Sequence, residues 1–153
     1  MATRRGKAPL AVLMATPDEI EAQFYEALQT ADLEKLMSLW VNDELVRCIH
    51  PGGPLLVGAT AIRASFEALF ARGPIAVQPA EVRKLITDQL ALHQVHERVI
   101  VPGTDETPQV AWVLATNAYL KTPDGWRLVL HHASPGQALE ATQVLSGNAN
   151  ILH

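Results

Sequence analysis

Along the chain, hydrophobic positions keep one period up to about Phe70 and another beyond Val82. In the first half, Ile20, Phe24 and Leu28 fall at four-residue spacing, which places them on one helix face. Thr16-Pro17-Asp18-Glu19 precedes them as a start signal: Thr16 can cap, Pro17 suits the first turn, and Glu19 can close a capping box. Asp32 can cap a second helix carrying Leu33, Leu36, Met37 and Trp40, which Asn42-Asp43 ends. Leu45 to His50 reads as a strand stopped by Pro51-Gly52-Gly53-Pro54. After Gly58 a third helix presents Ile62, Phe66, Leu69 and Phe70, and Gly73-Pro74 ends it.

The alternation then becomes strand-like. Val82 to Ile86, Gln89 to Val101, Gln109 to Lys121 and Trp126 to Ala133 predict four strands. Pro102-Gly103-Thr104-Asp105 and Thr122-Pro123-Asp124-Gly125 supply turns between them. Three helices with one inserted strand, then a meander of long strands, predict an α+β fold. Its helices pack on one face of a mostly antiparallel sheet. Residues 1–16 are expected to form a flexible arm, 17–136 the domain, and 137–153 a tail with a short helix around Ala138 to Leu145.

Composition narrows the function classes. With 153 residues, 48% of them hydrophobic and 18% charged, the chain has the size and apolar content for one core. A net charge of -4 argues against a nucleic-acid partner, which requires a basic footprint. No apolar run approaches a membrane span. Arg4, Arg5 and Lys7 before Ala8 to Ala15 give a faint secretory pattern, but Pro9 interrupts it. Cys48 is the only cysteine, so no intrachain disulfide can form, and a reducing, cytoplasmic compartment is expected.

Three segments resemble the nuclear-transport-factor-2-like superfamily, in its SnoaL-like and ketosteroid-isomerase-like branch. They are Phe24-Tyr25-Glu26-Ala27-Leu28 with Ala31-Asp32-Leu33 and Leu39-Trp40; Gly58-Ala59-Thr60-Ala61-Ile62-Arg63; and Asp124-Gly125-Trp126-Arg127-Leu128-Val129 running into His131-His132-Ala133-Ser134. The resemblance implies a cone-shaped, curved sheet whose three helices enclose a pocket. It also places Phe24 at the isomerase tyrosine, Asn117 at the donor aspartate, and Cys48 or His50 at the base. None of the three acids is kept in kind, so ketosteroid isomerisation by that mechanism is not expected.

If Asn117 faces the pocket, strand alternation puts Ala111, Val113, Ala115 and Tyr119 on the same side. On the last strand, the pocket side is expected to hold Leu128, Leu130, His132 and Ser134, with His131 pointing away. The resemblance places Ala91, His93, Val95 and Glu97 inside the middle strand. The expected catalytic residues are His50, as base, and His132. Phe24, Cys48, His93, Glu97, Asn117 and Leu130 are expected to line a ligand site. His93 and Glu97, four apart on one strand face, stand roughly 13 Å from each other and are not direct partners. A buried Glu97 would have a raised pKa and could act as acid or base.

The histidines lack chelating spacing, so no metal is expected, and nothing in the chain calls for a cofactor. The expectation is a pocket protein for an apolar or amphipathic small molecule, carrying out acid-base chemistry of the isomerase, cyclase or dehydratase kind. The alternative is a non-catalytic ligand-binding module or a dimeric scaffold. Val110, Trp112, Leu114 and Thr116, beside Leu90, Leu92 and Gln94, form an outer apolar row that predicts a homodimer anchored on Trp112.

Overall fold

Thr16 opens the first helix as the sequence predicts. Its hydroxyl accepts from the Glu19 amide at 3.2 Å while the Glu19 carboxylate takes the Thr16 amide at 2.9 Å, a complete capping box. The structure, a computed structural model, describes residues 16–137. Residues 1–15 of the expected arm and the tail helix near Ala138 to Leu145 lie outside the described residues, while Thr16, the last residue of that arm, is the helix cap.

Helix α1 spans Pro17–Thr30 and ends at Ala31, whose φ of 53° is left-handed. Helix α2, Leu33–Ser38, is capped by Asp32, which accepts from the Lys35 amide. Helix α3, Ala59–Phe70, starts at Gly58, where a φ of 93° explains why glycine occupies the junction. The strands are β1 Arg47–Ile49, β2 Leu55–Val57, β3 Val77–Ile86, β4 Leu90–Pro102, β5 Pro108–Thr122 and β6 Gly125–Pro135.

They form one six-stranded sheet in the order β2-β1-β6-β5-β4-β3. Every neighbouring pair is antiparallel except β1 and β6. Two strand expectations change. β2 is too short for any periodicity to announce it, and β3 begins at Val77 rather than Val82. There Pro79 and a register shift between Pro79 and Glu81 break the alternation.

The core lies between the inner sheet face and the helices. Ile20, Phe24 and Leu28 of α1 and Ile62 and Phe66 of α3 pack on Cys48, Ala91, Val95, Ala115 and Leu128. The ring of Phe24 meets Tyr25 and Phe66 edge-on. Among the described residues, no helix is long and apolar enough to cross a membrane.

A bulge decides which face β6 shows to the interior. Tyr119 pairs with Leu128, but Ala118 pairs with Leu130, so Val129 is left over between them. Beyond it the alternation is inverted. His131 pairs with Asn117 and faces inward, whereas His132 pairs with Thr116 and is exposed. The expected inward placement of Leu130, His132 and Ser134 is therefore corrected: all three follow the outer parity, and His131 and Ala133 take the inner one.

Candidate functional site

Asn117 is the hub of a buried polar network in the cone interior. It is wholly buried in the middle of β5, and both ends of its amide are bonded. Its Nδ2 donates to Glu21 Oε2 and to the Tyr25 hydroxyl, each at 3.2 Å. Because Nδ2 is the donor, Oδ1 must accept, and the 2.6 Å contact to His131 Nδ1 is a bond donated by the ring. His131 is thereby fixed as the Nδ1–H tautomer.

Two carboxylates end the network. Tyr25 donates to Glu97 Oε2 at 2.6 Å, and Tyr119 donates to Glu21 Oε2 at 2.8 Å. α1 supplies Glu21 and Tyr25 one helical turn apart, on the same face as Phe24 and Leu28. β4 supplies Glu97, and β5 supplies Asn117 and Tyr119 by alternation.

Burial sets the protonation of these groups. Desolvation, with the negative charge of Glu21 adding to it, raises the Glu97 pKa to about 7, although the Tyr25 bond opposes the shift. Desolvation chiefly, then the positive charges that His50 and His132 can carry, lowers the His131 pKa to about 3. His131 is therefore a neutral ring at ordinary pH. Both tyrosines are pushed well above the usual phenol range, mainly by burial, and stay protonated.

A second group lies at the β1 end. Cys48 and His131 are register partners on parallel strands. His50, half-buried, stands 3.0 Å through Nε2 from Ser65 Oγ and 3.9 Å from Cys48 Sγ. Ser65 uses its proton on the Ile62 carbonyl at 2.8 Å, so it accepts from His50 Nε2–H and leaves Nδ1 as the basic nitrogen. Burial lowers the His50 pKa, which favours the neutral base, and pushes the Cys48 thiol up to about 12. Cys48 thus behaves as a packing residue rather than a nucleophile. The His50 ring packs edge-on against Phe66 at 4.9 Å, and His131 lies against Phe24 at the same centroid distance.

Of the sequence-predicted residues, Phe24, Cys48, His50, His93, Glu97 and Asn117 do converge on the interior face. Leu130 and His132 do not. Glu21, Tyr25, Ser65, Tyr119 and His131 belong to the site but were not among the predicted residues. For Tyr119 the signal existed, since it shares the parity of Asn117; Tyr25 and Glu21 needed α1 to be docked first. Among the described residues, no cluster of His, Cys, Asp and Glu is arranged to hold a metal ion.

Residues 18–138 match the model of the SnoaL-like domain, and the chain belongs to this family. Among solved structures it resembles a protein provisionally described as a calcium/calmodulin-dependent protein kinase type II association domain from Thiobacillus denitrificans. The two are 36% identical over 81% of this chain and 98% of that one, with a TM-score of 0.72. A provisionally described dehydratase of the NTF2-like family from Streptomyces avermitilis is 32% identical, over 79% and 94% of the chains, with a TM-score of 0.70. An NTF2-like protein with a cystatin-like fold from Novosphingobium aromaticivorans shares the fold at 23% identity, over 83% and 84% of the chains, TM-score 0.64. No curated protein matches significantly.

Proposed function

We propose that the chain is an acid-base protein of the SnoaL-like type, which binds a small hydroxylated carbonyl compound in the cone and eliminates or moves a proton on it. The observation that carries the reading is Glu97: a buried carboxyl poised at about pH 7 and bonded to Tyr25 at 2.6 Å. Such a group is protonated often enough to be an acid and ionised often enough to be a base.

Dehydration requires a base for the proton next to the carbonyl and an acid for the departing hydroxyl. In this reading, His50 Nδ1 takes the former role and the Glu97–Tyr25 pair the latter. His131, fixed through its bond to Asn117, orients the substrate between them. The likeness to the described dehydratase supports this class of reaction. The lone cysteine fits a cytoplasmic setting.

Two experiments test the reading. A thermal-shift screen of small hydroxy-carbonyl compounds should find a stabilising ligand. Incubation with that ligand in D2O should then place deuterium on carbon in wild type but not in His50→Ala, and wild type but not Glu97→Gln should release water from it. Equal deuterium incorporation by His50→Ala, or equal dehydration by Glu97→Gln, overturns it.

A second reading, assembly through the outer sheet face, has its own support. Leu90, Ile100, Val110 and Leu114 remain substantially exposed there, and a relative is described as an association domain. In this reading two copies pair face to face around Trp112, and the interior network only stiffens the cone.

A further inference from the structure

The outer face of the sheet differs in charge from the chain as a whole. Leu55, Leu85, Leu90, Ile100, Val110 and Leu114, all exposed, share its parity and make it apolar. Arg47, Arg83 and Arg98 stand on the same parity, and the carboxylate among them, Glu81, lies 3.5 Å from Arg83. The whole chain carries a net charge of -4, so this face is a local excess of positive charge.

Two copies paired face to face bury the apolar rows but bring like charges together. Strands about 4.8 Å apart, rising about 3.3 Å per residue, give the six-stranded face a plan area of about 700 Å², close to the roughly 800 Å² per partner of a standard interface. Each copy brings Arg47, Arg83 and Arg98 to that contact against Glu81. Apolar area thus favours the pair while charge opposes it, and further positive charge can reverse the balance.

Two histidines can supply that charge. His96 of β4 and His132 of β6 both take the outer parity, His132 exposed and His96 half-buried. His96 stands opposite Glu81 of β3 and Leu114 of β5, with Gln94 and Arg98 beside it on its own strand. His132 stands opposite Thr116 of β5 and Ile49 of β1, with Leu130 and Ser134 on its own strand. Arg83 of β3 and Arg47 of β1, one rung further along, are the next charged neighbours. The helices pack on the other face.

We propose that the face-to-face pair is controlled by pH: protonation of His96 and His132 separates the two copies. This rests on the assembly reading of the outer face. Imidazole is the side-chain group that changes charge between about pH 5 and 8. In a free copy both rings reach water, and Glu81 opposite His96 favours its charged form. In the pair, water is excluded and the arginines of two copies surround the rings, so the charged form is disfavoured. The free copy consequently binds more protons than the paired one, and the equilibrium moves towards free copies as the pH falls. Each pair contains both rings twice, so the response is steeper than that of one titrating group.

Sedimentation equilibrium of the full chain at about pH 8 and about pH 5.5, at one ionic strength, tests the switch. The wild-type dissociation constant should rise at least about tenfold at the lower pH, as like charges facing each other across an interface require. The double variant His96→Gln/His132→Gln, polar but uncharged, should keep its affinity. His132→Gln alone, at an exposed position, should respond in between. Acidification over this range eases the burial penalty on Glu97, and circular dichroism should show the fold retained. The variants leave His50, His93 and His131 in place, so a change originating in the interior would persist in them. Equal wild-type constants at the two pH values, or a double variant that weakens as much as wild type, overturns the switch. A wild type that is monomeric at both overturns the assembly reading, and the switch with it.

Discussion

Tyr25 and Glu97 lie 72 residues apart in the chain and share one of the shortest buried hydrogen bonds of the domain, 2.6 Å, with the phenol as donor. The bond favours the ionised carboxylate, but burial outweighs it. The sign of the stability effect follows. Below the ordinary value of 4.5 the carboxyl is protonated in both folded and unfolded chains and contributes nothing; between 4.5 and about 7 the unfolded chain ionises first, so folding is progressively penalised. The full penalty, present above about pH 7, is about 3 kcal/mol. Glu97→Gln should remove most of this slope, so that its melting temperature stays flat where that of the wild type falls between pH 4.5 and about 7, the range that separates the two titrations. A parallel decline in both proteins would show that Glu97 is not the group responsible.

His131 acts on the opposite side. Its pKa of about 3 lies below the ordinary 6.5, so its contribution is complete above 6.5 and lost as the pH falls towards 3. Replacing it also leaves Asn117 Oδ1 without its donor. His131→Ala should therefore cost about 1–3 kcal/mol for the orphaned acceptor, beyond any loss of packing. The adjacent His132→Ala, on the exposed face, should stay within about 0.5 kcal/mol of wild type. Chemical denaturation of the two variants side by side checks this, and equal losses would contradict the inward placement of His131.

His50→Ala should leave the domain folded, with a cost within the range of about 0.5–3 kcal/mol usual for single substitutions, since only a Ser65 bond and an edge contact to Phe66 are lost. Any turnover found by the deuterium assay should disappear. Retention of full turnover would leave the reaction without its base on the β1 side.

Trp112→Glu probes the outer face. Trp112 pairs with Arg98 there, between exposed Val110 and Leu114. A standard interface buries roughly 1,600 Å² in total, which two such sheet faces can supply, and tryptophan is a common anchor. Light scattering should give a dimer for wild type and a monomer for the variant. A monomeric wild type at micromolar concentration would remove the assembly reading.

The helices could be read from the sequence because their signals are local: the Thr16–Glu19 box, the Asp32 cap and the glycine at Gly58 each act within a turn. The inward faces of β4 and β5 could be read as well, since an unbroken period of two carries Asn117, His93 and Glu97 to one side. β6 could not be read this way. Val129 is an ordinary strand residue, and nothing in Leu128-Val129-Leu130 shows that one position goes unpaired, because the bulge exists only in the pairing of β6 with β5. The two misplaced residues of β6, His132 for His131 and the inward Leu130, come from that single step. Glu21 was missed for a different reason: on a helix that starts at the surface, an acidic residue in the second turn looks solvated until the helix is packed on a sheet.

The parallel pairing of β1 with β6 also bears on how the domain is made. β1 lies between β2 and the last strand of the sheet, so the neighbour that places Cys48 beside His131 is synthesised after the other five strands. Until residues 125–135 leave the ribosome, β1 with β2 and β5 with β4 and β3 are two unjoined fragments, each with an open edge. The sheet of this domain is consequently completed only once its last strand in chain order is available. The pairing that joins the two fragments and the one that assembles the site are the same event.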